Sequence, residues 1–183
     1  PIFKIIMGLE RPSSGSGHLL GEEFVGGNPA IRKNIGIVSE YVEFNTPLSM
    51  RNFFNFYKGF FPNWNDEFFE KIVTNQKMDL DKKFFEYSRG EKMQMILAGE
   101  LAKSPQILLV DEITSVLDIY SRNYFLNLLK EFTYNGGTIF LTTNVIFEVQ
   151  NYITDILILK NKTIGLETSM KNIQDSLVRF KAR

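Results

Sequence analysis

The chain has 183 residues, 44% of them apolar, and 21 lysines and arginines balance 21 aspartates and glutamates to a net charge of zero. That length suits about one domain, and neutrality excludes a surface built chiefly for a polyanion such as nucleic acid. The lack of cysteine excludes disulfides and thiolate chemistry, and the single histidine, His18, excludes histidine triads and multi-histidine metal sites made within one chain.

Pro1 to Gly8 reads as the remainder of a helix, with Pro1 tolerated in a first turn and Gly8 as its C-cap. Arg11 to Gly17 is a Pro/Ser/Gly loop, and Gly26-Gly27-Asn28-Pro29 is a turn. Ile35 to Val38 reads as a buried strand. Leu48 to Met78 is helical and aromatic, broken near Phe61-Pro62-Asn63-Trp64-Asn65. Ser88 to Lys103 reads as a helix that Pro105 stops, and Gln106 to Val110 follows as an apolar strand. Beyond it come a helix over Tyr120 to Phe132, a strand over Gly137 to Thr142, a short helix over Val145 to Tyr152 and a strand over Asp155 to Leu159. A strand over Thr163 to Glu167 and a helix over Ser169 to Phe180 complete the reading. Short apolar strands alternating with helices predict an α/β fold with a mostly parallel sheet. No apolar run approaches the ~18 residues that cross a bilayer, and no signal-peptide pattern opens the chain. The expectation is a cytoplasmic protein.

Two local patterns carry chemistry. Ile107-Leu108-Leu109-Val110-Asp111-Glu112 is a strand buried on both faces that ends in two carboxylates, at the strand end where open α/β sheets bind ligands. Asp111 suits a magnesium ion and Glu112 suits the polarisation of an attacking water, the two tasks phosphoryl transfer needs. The plain alternative is a strand followed by a polar turn. Tyr87-Ser88-Arg89-Gly90-Glu91 opens a helix, and Ser88 with Glu91 fits the S-x-x-E capping box. The same free N–H groups make a helix start a candidate anion site.

Taken in order, these pieces resemble the ATP-binding cassette (ABC) ATPases. Lys4 to Gly15 (KIIMGLERPSSG) looks like the helix and turn after their Walker A motif, and Ile35 to Glu40 (IGIVSE) like the strand entering their Q-loop. YSRGE at 87–91 looks like their signature motif and ILLVDE at 107–112 like their Walker B strand with its catalytic glutamate. Thr114 to Asp118 looks like their D-loop, and Ile139 to Asn144 (IFLTTN) like the strand carrying their switch residue. Order and spacing match across nearly the whole chain. Ser-Arg-Gly in the signature and Glu40 at the Q-loop position resemble the bacterial YtrB-like, ABC-2-type exporter group.

The resemblance implies a P-loop NTPase α/β fold, one cassette over residues 1–183 with a helical subdomain at about 45–104 inserted in its core. It implies ATP and Mg2+ as cofactors, a second cassette and a separate transmembrane permease as partners, and a place at the inner face of the cell membrane. Two cassettes would pair head to tail. Ser88, Arg89, Gly90 and Glu91 would then lie at the ATP held by the partner, with Ser88 and Gly90 on its γ-phosphate. Asp111 would help hold magnesium, together with Glu40 at the Q-loop, and Glu112 would act as catalytic base. Asp118 would work across the interface, and Asn144 would take the switch position.

Three departures bear on activity. The phosphate-binding pattern G-x-x-x-x-G-K-[ST] ends in the family where this chain starts, so the Walker A loop and the strands before it are expected to lie outside the sequence. Asn144 stands where the family has histidine; its amide hydrogen-bonds a phosphate but takes up no proton near neutral pH. Arg89 and Glu91 replace a glycine and a glutamine of LSGGQ. The leading expectation is the ATP-hydrolysing subunit of an ABC transporter. The rival is a cassette that does not hydrolyse ATP and serves as a dimerising or regulatory partner. Phe53, Phe54, Phe56, Phe60 and Phe61 read most simply as one subdomain core, the alternative that the resemblance implies being a groove for a coupling helix of the membrane partner, and His18 reads as a surface residue.

Overall fold

The computed structural model describes residues 2–24, 28–39, 42–112 and 117–177. Its contacts divide the chain into two compact units, residues 1–143 and 144–183.

The first unit opens with helix α1, Ile2–Ile6. The helix ends where the sequence predicts, because Gly8 adopts φ 68° and the N–H of Leu9 closes onto the carbonyl of Lys4 at 2.8 Å. A two-stranded antiparallel hairpin, β1 (His18–Leu19) and β2 (Glu22–Glu23), follows. The sequence carries no strand signal between the loop over Arg11 to Gly17 and the turn at Gly26, and it predicts His18 at the surface, where His18 is exposed. The hairpin escaped because its two-residue turn places Leu20 at φ 54° beside Gly21 at φ 81°. A leucine in the left-handed region carries none of the usual turn signal. Helix α2, Pro29–Arg32, leads into the sheet.

The sheet has three parallel strands in the order β3 (Ile35–Ser39), β4 (Ile107–Asp111), β5 (Thr138–Thr142). Strand β4 is central, and Ile107 to Val110 are all buried, the pattern of a strand covered on both faces. On one face Ile31, Ile35, Ile107 and Leu109 form a cluster against which Phe3, Ile6, Met7, Leu19 and Phe24 pack. Phe3 and Ile6 of α1 are thereby half-buried against the sheet, and such packing is where most of a five-residue helix's stability must come from.

Between β3 and β4 the chain is helical: α3 (Met50–Tyr57), a 3-10 turn (Lys58–Phe60), α4 (Asp66–Asn75), a second 3-10 turn (Phe84–Glu86) and α5 (Arg89–Ala102). Ser49 caps α3 and Asn65 caps α4 through side-chain oxygens that accept from Asn52 N and Phe68 N. The phenylalanines do not form one core. Phe54 is buried and stacks with Phe44, Phe53, Tyr57, Trp64 and Phe69 at centroid distances of 4.7–6.2 Å. Phe56 and Phe60 are 65% and 58% exposed and pair with each other at 5.1 Å. A period of 3.6 residues explains the split, since 53, 54 and 57 share one face of α3 and 56 lies on another. Gly99 of α5 lets Phe54 approach: a Cβ there would lie 2.5 Å from the Phe54 ring.

Helix α5 is buried along its last ten residues apart from half-buried Gln94. One turn before its end sits a carboxylate that the sequence does not advertise. Glu100, 5% exposed, pairs with buried Lys103 at 2.6 Å and accepts the backbone N–H of Ile37 on β3 at 2.6 Å. Tyr57 hydrogen-bonds the same carboxylate; burial, then the charge of Glu100, pushes its phenol well above the usual range. The ring of Phe61 covers the Lys103 ammonium at 4.9 Å. Helix α6, Ile119–Tyr134, follows β4 and buries Phe125, Leu126, Leu128 and Leu129.

The second unit holds the short helix α7 (Ile146–Val149), strands β6 (Asp155–Lys160) and β7 (Thr163–Ser169), and helix α8 (Met170–Leu177). Strands β6 and β7 form an antiparallel hairpin, so they do not extend the parallel pattern. A two-residue link, Asn161 at φ 51° and Lys162 at φ 64°, allows only a hairpin, because a parallel crossover needs a dozen residues or more.

Candidate functional site

The strand register builds the first part of the site. Ser39, Asp111 and Thr142 are register partners across β3, β4 and β5, so the three strands finish in one polar row at their carboxyl ends. Ser39 is buried, Asp111 is half-buried, and Thr142 Oγ1 donates to Asp111 Oδ1 at 2.5 Å. The chain turns sharply after this row. Glu112 adopts φ 48°, and its N–H donates to the carbonyl of Thr142 at 3.1 Å. The neighbouring strand therefore fixes both carboxylates: Asp111 through a side chain, Glu112 through the main chain. The side chain of Glu112 is exposed. The sequence pointed to Asp111 and Glu112 but not to Ser39 or Thr142. Their signal is positional, since each polar residue closes an apolar run at the register of Asp111.

The row offers hard oxygen donors. Magnesium binds by one or two carboxylates with water and phosphate oxygens completing its shell, so Asp111 with neighbouring hydroxyls fits it in kind. No cluster of three acidic or histidine side chains exists among the described residues. Glu40, the other predicted metal contact, lies outside the described residues, as do Thr114 to Val116 of the predicted D-loop.

The second part is the start of α5. Ser88 is its N-cap, and both halves of the capping box are present: Glu91 N donates to Ser88 Oγ at 3.3 Å, and Ser88 N donates to Glu91 Oε2 at 2.8 Å. The bonds from Ser88 hold the Glu91 carboxyl below the ordinary carboxylate range, assisted by Lys82. Glu91 is thus engaged by the helix end that precedes it. Ser88, Arg89 and Glu91 are exposed and Gly90 is half-buried. Tyr87, just before the cap, is buried; its hydroxyl donates to the carbonyl of Asp79, and burial pushes its phenol up to about 12.

The third part is Asp118, the N-cap of α6. Its Oδ1 accepts from Tyr120 N at 3.0 Å and Ser121 N at 3.1 Å. Its Oδ2 accepts the Ser121 hydroxyl at 2.6 Å, and the bonds from Ser121 hold its carboxyl below the usual range. Asn144 belongs to the second unit.

A parallel sheet with paired carboxylates at the carboxyl end of its central strand places the chain among the open α/β proteins, which bind ligands at that end. The sequence model of the ABC transporter family matches residues 1–115, and the chain belongs to that family. Among curated proteins it resembles the Nod factor export ATP-binding protein I of Rhizobium leguminosarum bv. viciae, 27% identical over 165 residues, which cover 87% of this chain and 53% of that protein. The chain spans about half the length of the curated relatives it matches. Among solved structures it resembles the ATP-binding subunit of an ABC transporter, with a TM-score of 0.85 at 18% identity over 99% of this chain and 78% of the other. It also resembles an ATP-binding cassette in a dimeric post-hydrolysis state bound to ADP and Pi, with a TM-score of 0.75 at 18% identity over 92% and 79%. These likenesses establish the ABC cassette fold. Among the described residues no helix is long and apolar enough to cross a membrane.

Proposed function

We propose that this chain is part of the ATP-binding and ATP-hydrolysing subunit of an ABC transporter, working as one of two cassettes beneath a separate transmembrane permease at the inner face of the cell membrane. Family membership over residues 1–115 supports the class. The observation that carries the chemistry is the row Ser39, Asp111, Thr142 with Glu112 turned out of its end.

In this reading Asp111 holds the magnesium ion of MgATP, its orientation set by the Thr142 hydroxyl, with Glu40 as second contact. Magnesium would neutralise charge on the β- and γ-phosphates. Glu112 accepts a proton from the attacking water; its side chain is exposed and its backbone is tied to the sheet through Thr142. Ser88 and Gly90 present a hydroxyl and N–H groups to the γ-phosphate bound by the partner cassette, with Arg89 adding positive charge. Asp118 faces the same interface, and Asn144 hydrogen-bonds the γ-phosphate from the switch position. Hydrogen bonding without proton uptake at Asn144 favours a second reading, a cassette that dimerises and binds nucleotide but does not turn it over.

The test is ATP turnover by the protein as encoded, including whatever the gene reads in frame upstream of Pro1. Wild-type turnover that is lost in Glu112→Gln while ATP binding persists supports the hydrolytic reading. Absence of turnover in the wild type, with turnover gained in Asn144→His, supports the second. Failure to bind ATP at all sinks both.

A further inference from the structure

Asp118 and the helix carrying Ser88 are joined by a hydrogen-bond relay through two residues outside the motifs named above. Gln94 of α5 donates through Nε2 to Ser121 Oγ at 2.7 Å, and Ser121 Oγ donates to Asp118 Oδ2 at 2.6 Å. The polarity is fixed at every link. Asp118 accepts only, so the one proton of the Ser121 hydroxyl goes to it. The serine oxygen must then accept, and only the amide nitrogen of Gln94 can supply the donor. Gln94 and Ser121 are half-buried, where such a bond competes less with water than on open surface.

The placement gives the relay a consequence. Gln94 lies on the second turn of α5, about 9 Å along the axis from Ser88 at a rise of ~1.5 Å per residue. From Met95 to Ala102 that helix is wholly buried, so it moves as one piece. Ser121 lies on the first turn of α6, and Asp118 caps it. Arg122 Nη2 donates to the carbonyl of Leu117 at 3.2 Å and holds the residue before the cap. All four bonds of the Asp118–Ser121 pair point inward to its own chain. Asp118 is therefore a fixed corner, and Gln94 is what registers the signature helix against it.

We infer that Gln94 is a positioning residue that, through Ser121, locks the anion-facing end of α5 to the Asp118 corner, so that both present to a partner's nucleotide as one rigid edge. This rests on the cassette-dimer reading above. It does not touch nucleotide or metal. The relay predicts a defect in turnover and not in nucleotide affinity, because ATP is held by the opposite chain's Walker motifs.

The experiment uses the protein as encoded. Gln94→Met keeps the shape and removes the donor, Ser121→Ala removes the middle link, and Gln94→Lys keeps a donor. Gln94→Met, which loses one half-buried hydrogen bond, is expected to lower kcat about tenfold with KM for ATP within about twofold, and Ser121→Ala, which loses that bond and the one to Asp118, at least as much. The double variant should be no worse than Ser121→Ala alone, and Gln94→Lys should recover most of the rate. Additive losses, or wild-type kcat in Gln94→Met, would overturn the inference. If the wild type has no turnover, the functional reading fails by itself and hydrogen exchange decides the relay. The Tyr120 and Ser121 amides should then exchange about tenfold faster in Gln94→Met, and unchanged exchange refutes it.

Discussion

Thr142 donates its hydroxyl to Asp111 Oδ1 at 2.5 Å from directly across the β4–β5 ladder, so the side chain proposed to hold magnesium is oriented by the next strand. Thr142→Val preserves the shape and removes the donor. The expected result is a 10- to 100-fold rise in the magnesium needed for half-maximal ATP turnover, the usual range for losing a residue that orients a metal ligand. Thr142→Ser should stay near wild type. A magnesium titration of turnover in the three proteins reads this out.

Glu100 answers three donors at once: the Lys103 ammonium, the Ile37 N–H and the Tyr57 hydroxyl. Glu100→Ala strands a buried ammonium and a half-buried amide, and about 3–5 kcal/mol of stability should be lost. Replacing both charges, Glu100→Leu with Lys103→Met, should cost clearly less than the single change. Urea unfolding of the wild type and both variants distinguishes a coupled buried pair from two independent contacts.

Gly99→Ala would place a methyl 2.5 Å from Phe54 Cε1 and 3.0 Å from Cζ. The Phe54 ring cannot swing aside, because Phe44, Phe53, Trp64 and Phe69 surround it. A destabilisation of about 1–3 kcal/mol is expected from overpacking. Adding Phe54→Leu to Gly99→Ala should return part of it, which a thermal melt would detect.

The capping box makes the start of α5 sensitive to acid. Glu91 is held below its ordinary value, so its contribution is present above about pH 4.3, the unfolded value. It is lost as the pH falls from there through the folded value. The Ser88 amide, which donates to Glu91 Oε2, should therefore lose exchange protection in that window ahead of the buried end of α5. In Glu91→Gln the protection should no longer follow pH. An amide that opens only with global unfolding would count against it.

Much of the fold was legible because its signals are local. The apolar run Ile107 to Val110 announced the central strand, Pro105 the helix stop, and Ser88 with Glu91 the cap of α5. Asp111, Glu112 and the helix start at Ser88 could be named for the same reason. What escaped depends on partners distant in sequence or on unusual backbone. Leu20 in the left-handed region hid the first hairpin. Thr142 and Ser39 acquire meaning only from register, Glu100 only from Ile37 63 residues away, and Gln94 only from Ser121 27 residues away. The single aromatic core failed at Phe56 and Phe60, since composition says how many rings a helix carries and only its period says which way they face.

Among the described residues β3 pairs with β4 alone, and its far side is met at Ile37 by a carboxylate from α5 in place of another strand. A strand margin with unsatisfied amides is a template on which other chains can add. Glu100 closes that margin at Ile37 with a buried, ion-paired carboxylate, so the helix that carries it also covers the strand's edge there. Loss of Glu100 should accordingly show itself first as light scattering in concentrated solution, at temperatures where the circular dichroism of the fold is still intact.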